Sequence, residues 1–202
     1  MTAAEPSIAD PLTRMDTPWF RVCHELLYVP YHALFTLGFS LRLSGKDNMP
    51  RSGPAILVAN HQSFLDPLVV GLSAGRPLVY LARKTLFKNR IFASIIRFMN
   101  AVPIDQEGIS LEGLRTILDQ LRRGRPVVIF PEGSRTSDGA MQALKGGIHL
   151  VIKRAGAIPI VPVGIAGAYD AWPIWRAYPV PAPLCLPNVK GTIAASLGQP
   201  FD

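Results

Sequence analysis

Cysteine is scarce in this chain: Cys23 and Cys185 are the only two in 202 residues. They form no disulfide framework, and nothing implies an oxidising compartment. Charge is scarce too, at 17% of residues against 49% hydrophobic. Acids number 14 and bases 21, for a formal net charge of +7. A basic surface attracts nucleic acid or an anionic membrane leaflet. The chain lacks zinc-finger spacing and an aromatic-rich RNA-binding signature, so no nucleic acid is expected and a membrane surface is the expected partner. His24, His32, His61 and His149 show no ligand spacing with acids or cysteines, so no metal site is expected. Internal repeats and low-complexity tracts are missing, and the start lacks the charged n-region of a signal peptide. The charge-free apolar stretch Leu26–Leu41 also falls short of the roughly twenty residues that a spanning helix wants.

What is present fits one domain with a sizeable core. Residues 1–18 are small, polar and Pro-containing and read as a disordered tail. From 19 to 43 the character changes. Leu26–Leu41 carries no formal charge but is interrupted by Pro30 and His32, and Trp19, Tyr28 and Tyr31 favour interfaces. The expectation is one or two helices lying in a membrane interface; a true span and a helix packed on the protein's own core are the alternatives. Gly45–Gly53 reads as a linker. Apolar runs at Ala55–Asn60, Leu78–Ala82, Val127–Phe130 and Ile158–Val163 read as buried strands. Alternation from Val189 to Leu197 predicts a last, half-buried strand. Helices are predicted from Asp66-Pro67 to Ser73, over Phe87, Ile91, Ile95 and Phe98 with Lys88, Arg90 and Arg97 interleaved, from a Ser110 cap through Leu111, Leu114, Leu118 and Leu121, and over Ile148–Arg154. Trp172–Pro187 is Pro-rich and irregular. Strands alternating with helices predict an α/β fold, with a mixed central sheet flanked by helices and preceded by the membrane-associated helical segment.

Two short motifs carry the chemistry. Asn60-His61-Gln62-Ser63-Phe64-Leu65-Asp66 follows the first strand. Phe130-Pro131-Glu132-Gly133-Ser134-Arg135-Thr136 follows the third. Polar groups just past neighbouring strand ends can converge on one crevice. His61, with an ordinary pKa near 6.5, is mostly a free base at neutral pH. A neutral imidazole can take the proton of an alcohol as that oxygen attacks a carbonyl. Asp66 can accept from the other ring nitrogen, fixing the tautomer. On one helix, residues five apart do not share a face, so this pair is expected to meet across a turn. Read alone, His61 is an ordinary loop histidine and Asp66 a plain N-cap. Arg135 presents a planar fork that matches phosphate oxygens, and Gly133 permits positive φ or close backbone approach. Arg83 and Lys84 end the second strand and can add to the same anion site, or form a solvated basic face. Gly71-Leu72-Ser73-Ala74-Gly75 matches a nucleophile elbow, but a helix precedes it and Arg76-Pro77 follows, so Ser73 is read as a helix-end residue.

The order H-x-x-x-x-D then F-P-E-G-S-R resembles the glycerolipid acyltransferase family, best known for 1-acylglycerol-3-phosphate acyltransferases. The resemblance runs from about Gly45 to the C-terminus. Arg83-Lys84-Thr85-Leu86-Phe87 is similar to that family's second motif, and Val161-Pro162-Val163-Gly164-Ile165 to its fourth. It implies an acyltransferase domain over 44–202, His61 and Asp66 as catalytic pair, Arg135 on a substrate phosphate and Glu132 near the acceptor glycerol. Lys145 resembles a family lysine downstream of the third motif. Two positions depart from the pattern: Arg90 stands where the second motif has a proline, and Gln106 where an arginine is usual. Gln106 cannot supply that arginine's charge, which weakens the case for a phosphate-bearing acceptor and leaves acyl transfer untouched.

The implied reaction moves a fatty acyl group from acyl-CoA or acyl carrier protein, as co-substrate, to the hydroxyl of 1-acylglycerol 3-phosphate, giving phosphatidic acid. No other cofactor is called for. Another lysolipid, such as a lyso-ornithine lipid or lysophospholipid, is the alternative acceptor. An inert, basic lipid-binding protein is the alternative of another class. The expected location is the cytoplasmic face of the inner (plasma) membrane.

Overall fold

The computed structural model describes residues 12–104, 111–185 and 190–201. In chain order its strands are β1 (Arg42–Ser44), β2 (Ile56–Ala59), β3 (Val79–Arg83), β4 (Ala101–Ile104), β5 (Val127–Ile129), β6 (Ile160–Ala166) and β7 (Ala194–Leu197). The helices are α1 (Pro18–Phe39), α2 (Asp66–Ala74), α3 (Arg90–Phe98), α4 (Leu111–Arg122), α5 (Gly147–Ala155) and the short α6 (Ala168–Ala171). The strands form one sheet in the order β1-β7-β6-β2-β5-β3-β4. The β6-β2-β5-β3-β4 block is parallel throughout. β7 runs antiparallel to β6, and β1 runs parallel to β7. The expected mixed sheet flanked by helices is therefore the fold.

The central strands are apolar at every position because both faces are covered. Alternate residues serve opposite layers. Leu57, Val128 and Val161 face one core with α1, α2 and α6. Ile56, Val127, Ile129 and Ile160 face a second with α4 and α5. On α4 the buried stripe is Leu114, Ile117 and Leu121, while Leu111, placed on the stripe from sequence, is exposed.

Several sequence expectations change. α1 is one continuous helix through Pro30, capped by Thr17, whose Oγ1 accepts from the Phe20 N–H. Phe20 and Phe35 are buried in the core, so α1 packs on the domain, while Trp19, Val22, Leu26, Leu27, Val29, Leu34 and Leu37 face outward. No helix among the described residues is long and apolar enough to cross a membrane. The first eleven residues of the supposed tail lie outside the described residues. The rest is ordered: Thr13–Asp16 forms a 3₁₀ turn, and Leu12 and Met15 are buried. A boundary between 43 and 44 would cut β1, so the sheet begins earlier than expected. Gly45, at φ +72°, follows β1 and presses against β7: a Cβ there would lie 2.0 Å from the Leu197 carbonyl oxygen. β4 was not expected, and the positions of Gln106, Ser110 and Val189 lie outside the described residues.

The end of α1 is finished by distant backbone. Ser40 adopts a left-handed conformation and its hydroxyl donates to the Ala182 carbonyl. The Ala182, Leu184 and Ile193 N–H groups donate to the carbonyls of Gly38, Leu37 and Phe39. Three carbonyls that a helix C-terminus leaves open are thereby satisfied by the irregular Pro-rich segment and the residue before β7.

Candidate active site

β2 and β5 are neighbours and parallel, so the residues following them leave the same edge of the sheet. Asn60 extends β2 with its side chain: Nδ2 donates to the Ile165 carbonyl (2.9 Å) and Oδ1 accepts from the Ile165 N–H (2.7 Å). The backbone then turns sharply. Asp66 is the first residue of α2 and not its N-cap; Leu65 holds the cap position. The Asp66 carboxylate points back instead, and Oδ2 accepts from the N–H groups of Gln62 (2.5 Å) and Ser63 (2.6 Å). The same oxygen lies 2.8 Å from His61 Nδ1. Asp66 is fully buried and the His61 side chain 19% exposed. A carboxylate oxygen in this position accepts, so Nδ1 carries the ring proton and Nε2 keeps a lone pair. Nε2 has no hydrogen-bond partner among the described residues. The Phe130 ring stacks on the imidazole at 4.1 Å between centroids.

The second motif is bonded to the first. Glu132 is 2% exposed. Its Oε1 accepts from the His61 N–H (2.7 Å) and its Oε2 from the Gln142 N–H (2.9 Å). The Thr136 N–H donates to the His61 carbonyl, and Gln62 Nε2 donates to the Gly139 carbonyl. Glu132 thus holds main chain, where the resemblance implies contact with the acceptor. Gly133 has φ +74°, and the Lys145 side chain lies where its Cβ would be, 2.7 Å from Nζ. The Lys145 N–H donates to the Pro131 carbonyl (2.8 Å), closing the loop at its base.

The cations separate into two groups. Arg135 lies flat on Phe64, its Cζ 3.5 Å from the ring centroid. Burial lowers the Arg135 pKa from its ordinary value; Asp66 opposes this and Arg83 adds to it. Arg135 therefore feels both the Asp66 carboxylate and a second arginine. Lys84 is directed elsewhere, its Nζ 3.4 Å from Glu112 Oε1 on α4. Ser73 lies in the last turn of α2, 1% exposed, with its hydroxyl donated to the Val69 carbonyl, which leaves no nucleophile elbow.

Phe64, Phe130 and Trp172 are the residues that sequence reasoning passed over. Phe64 lies 5.2 Å from Trp172 between centroids, and Trp172 accepts at its carbonyl from the Ser63 hydroxyl (2.7 Å). Phe64 and Phe130 sit inside the two motifs, and only their position beside polar groups marked them.

The site thus joins an imidazole–carboxylate pair to a guanidinium held over Phe64. Solved structures contain a similar fold: the crystal structure of the 1-acyl-sn-glycerophosphate acyltransferase PlsC from Thermotoga maritima matches with a TM-score of 0.69 at 24% identity, over 97% of this chain and 74% of that one. By sequence the chain is 28% identical over 183 residues to the 1-acyl-sn-glycerol-3-phosphate acyltransferase of Bacillus subtilis, covering 90% of this chain and 82% of that protein. It is 28% identical over 170 residues to a chloroplast enzyme of the same name from Arabidopsis thaliana, covering 82% of this chain but 47% of the relative. With the Streptococcus pneumoniae enzyme identity is 36% over 114 residues, 55% of this chain and 41% of that one. The chain thus spans about half or less of some relatives and most of another. Residues 40–166, more than half of the sequence and including both motifs, match the family model described as Acyltransferase, and the chain belongs to that family.

Proposed function

We propose that this protein is a 1-acylglycerol-3-phosphate O-acyltransferase, moving a fatty acyl group from acyl-CoA or acyl carrier protein to lysophosphatidic acid to give phosphatidic acid. The observation that carries this reading is the His61 Nδ1 to Asp66 Oδ2 contact of 2.8 Å, made by a fully buried carboxylate. It leaves Nε2 as the base. The relatives reported above bear the name of this activity, which supports the acceptor.

In the reaction, Nε2 takes the proton of the acceptor hydroxyl as that oxygen bonds to the thioester carbonyl carbon. Asp66 stabilises the imidazolium while its two main-chain donors keep it in position. The tetrahedral adduct collapses, the carbon–sulfur bond breaks, and the leaving thiolate receives the proton from His61. No acyl-enzyme is required, because the thioester is already activated. Arg135, stacked on Phe64, offers its fork to the phosphate of the acceptor, with Arg83 adding charge. Gly133 and Lys145 shape the loop beside them. Lys84, paired with Glu112, contributes at longer range.

Residues 40–201 form the catalytic unit in this reading. The outward apolar face of α1 rests on the cytoplasmic leaflet of the plasma membrane, which supplies the acceptor. The test is purified protein with a panel of lysolipids and acyl thioesters, products identified by mass spectrometry. Phosphatidic acid from lysophosphatidic acid is the expected dominant product. Equal acylation of uncharged lysolipids would replace the acceptor, and no product from any pair would overturn the reading.

A further inference from the structure

A surface helix normally turns its apolar stripe to the core and its charges to water. α3 turns its apolar stripe outward along with its charges. Only Ala93 among its nine residues is buried. Ile91 is 78% exposed, and Phe92, Ile95 and Phe98 are exposed as well. Residues three and four apart share a face, so Ile91, Ile95 and Phe98 form one stripe, on the side opposite Ala93. The segment from Lys84 to Asn100 contains Lys84, Lys88, Arg90 and Arg97 and no acid. Exposed Leu86 precedes the helix.

The neighbourhood has the same character. Arg14, just before α1, has its guanidinium 5.6 Å from the Phe20 ring of α1 and 5.7 Å from the Phe98 ring of α3. It also donates to the Arg97 carbonyl. The start of α1 and the end of α3 are thereby joined, and both helices turn large apolar side chains outward. Meanwhile α3 follows the carboxyl end of β3, the sheet edge that carries His61.

We infer that α3 is a second membrane-contact element, which seats Ile91, Ile95 and Phe98 in an anionic lipid surface while Lys88 and Arg90 meet its headgroups. The charge decides the occupant. An apolar stripe flanked only by bases is the pattern of a helix that lies in the plane of an anionic interface. The arrangement does not depend on the acyl-transfer reading. It brings the His61 edge to the lipid without any spanning segment.

The test uses full-length protein and co-sedimentation with two vesicle types, phosphatidylcholine alone and phosphatidylcholine mixed with phosphatidylglycerol. Ile91→Asp/Ile95→Asp is expected to lower partition into both, by roughly tenfold for each isoleucine. Lys88→Gln/Arg90→Gln is expected to lower it by roughly fivefold for each charge, on the anionic vesicles only. Both variants are also made in a Trp19→Asp/Leu26→Asp background, so that α1 cannot mask the effect. All these side chains are exposed, and a wild-type circular dichroism spectrum with unchanged acylation of a soluble short-chain acceptor separates lost docking from lost folding or chemistry. Wild-type partition of the isoleucine variant in both backgrounds would overturn the inference. So would a dimer, seen by sedimentation velocity, that the isoleucine variant dissolves while vesicle binding stays intact, because a second copy of the chain would then cover this face.

Discussion

Asp66 opens the helix after the β2 loop, and Glu132 lies in the loop that leaves β5. Both are carboxylates in nearly complete burial. Both accept two main-chain N–H groups. They differ in one contact: Asp66 Oδ2 also meets an imidazole nitrogen at 2.8 Å. Among the described residues Glu132 accepts from main chain alone, and it holds His61 through its N–H. Burial and hydrogen bonding are thus shared by a carboxylate that meets an imidazole and one that fastens two loops together. What separates them is whether one of the donors is a side-chain ring nitrogen.

That difference can be broken from either side. The largest expected effect is on the base common to both. His61→Ala should lower turnover by about 10²–10⁴-fold with vesicle binding and melting temperature unchanged. Activity within a few-fold of wild type in the folded variant would remove His61 from the mechanism.

Asp66→Asn comes next. The amide oxygen can keep the Gln62 and Ser63 donors, with Nδ2 taking the place of Oδ1, a buried atom with no hydrogen-bond partner among the described residues. The fold should therefore survive while the imidazolium loses its counter-charge, and kcat should fall by about 10²-fold or more. If melting temperature drops and kcat per folded molecule holds, Asp66 is only a turn residue.

Arg135→Lys retains charge but not the fork or the stack on Phe64. A hydrogen bond to a charged group contributes about 1.5–3 kcal/mol, so discrimination between lysophosphatidic acid and a neutral lysolipid should fall roughly ten- to a hundredfold. An equal loss on both acceptors would assign the arginine to the acyl donor or to the fold.

The smallest catalytic effect is expected at Glu132→Gln. One main-chain donor, of His61 or Gln142, would face an amide N–H₂. Leaving it unsatisfied costs about 1–3 kcal/mol, a fall in melting temperature of roughly 2–10 °C, measured by differential scanning calorimetry. Turnover should change less than for Asp66→Asn. Strong loss of turnover at an unchanged melting temperature would instead put Glu132 on the acceptor, as the family resemblance implies.

The central strands and the two motif loops were legible because a continuous apolar run followed by polar turn residues has few other readings. The two edge strands were not. β1 is three residues long, two of them exposed, and it follows directly on the apolar helix. β4 carries Pro103, which an edge strand tolerates and a sequence pattern reads as a break. Helix α3 was visible by its spacing, but periodicity gives a stripe and not the direction it faces. The His61–Asp66 pair was legible as a contact across a turn. The role of Glu132 was not, because the partners of a buried carboxylate are backbone groups that no residue type announces. Lys84 shared a basic pair with Arg83, and only the placement of Glu112 on α4 separated the two.

The pairing of β1 with β7 has a consequence for synthesis. Arg42 lies opposite Ala194, and the last turn of α1 is completed by the N–H groups of Ala182, Leu184 and Ile193. A ribosome adding roughly 5–20 residues per second takes on the order of 8–30 s to travel between those strands. For that interval α1 exists with its C-terminal carbonyls open, its outward apolar face already made and β1 unpaired on both edges. The emerging chain therefore meets chaperone or lipid as a bare amphipathic helix, and this edge of the sheet closes only when β7 arrives.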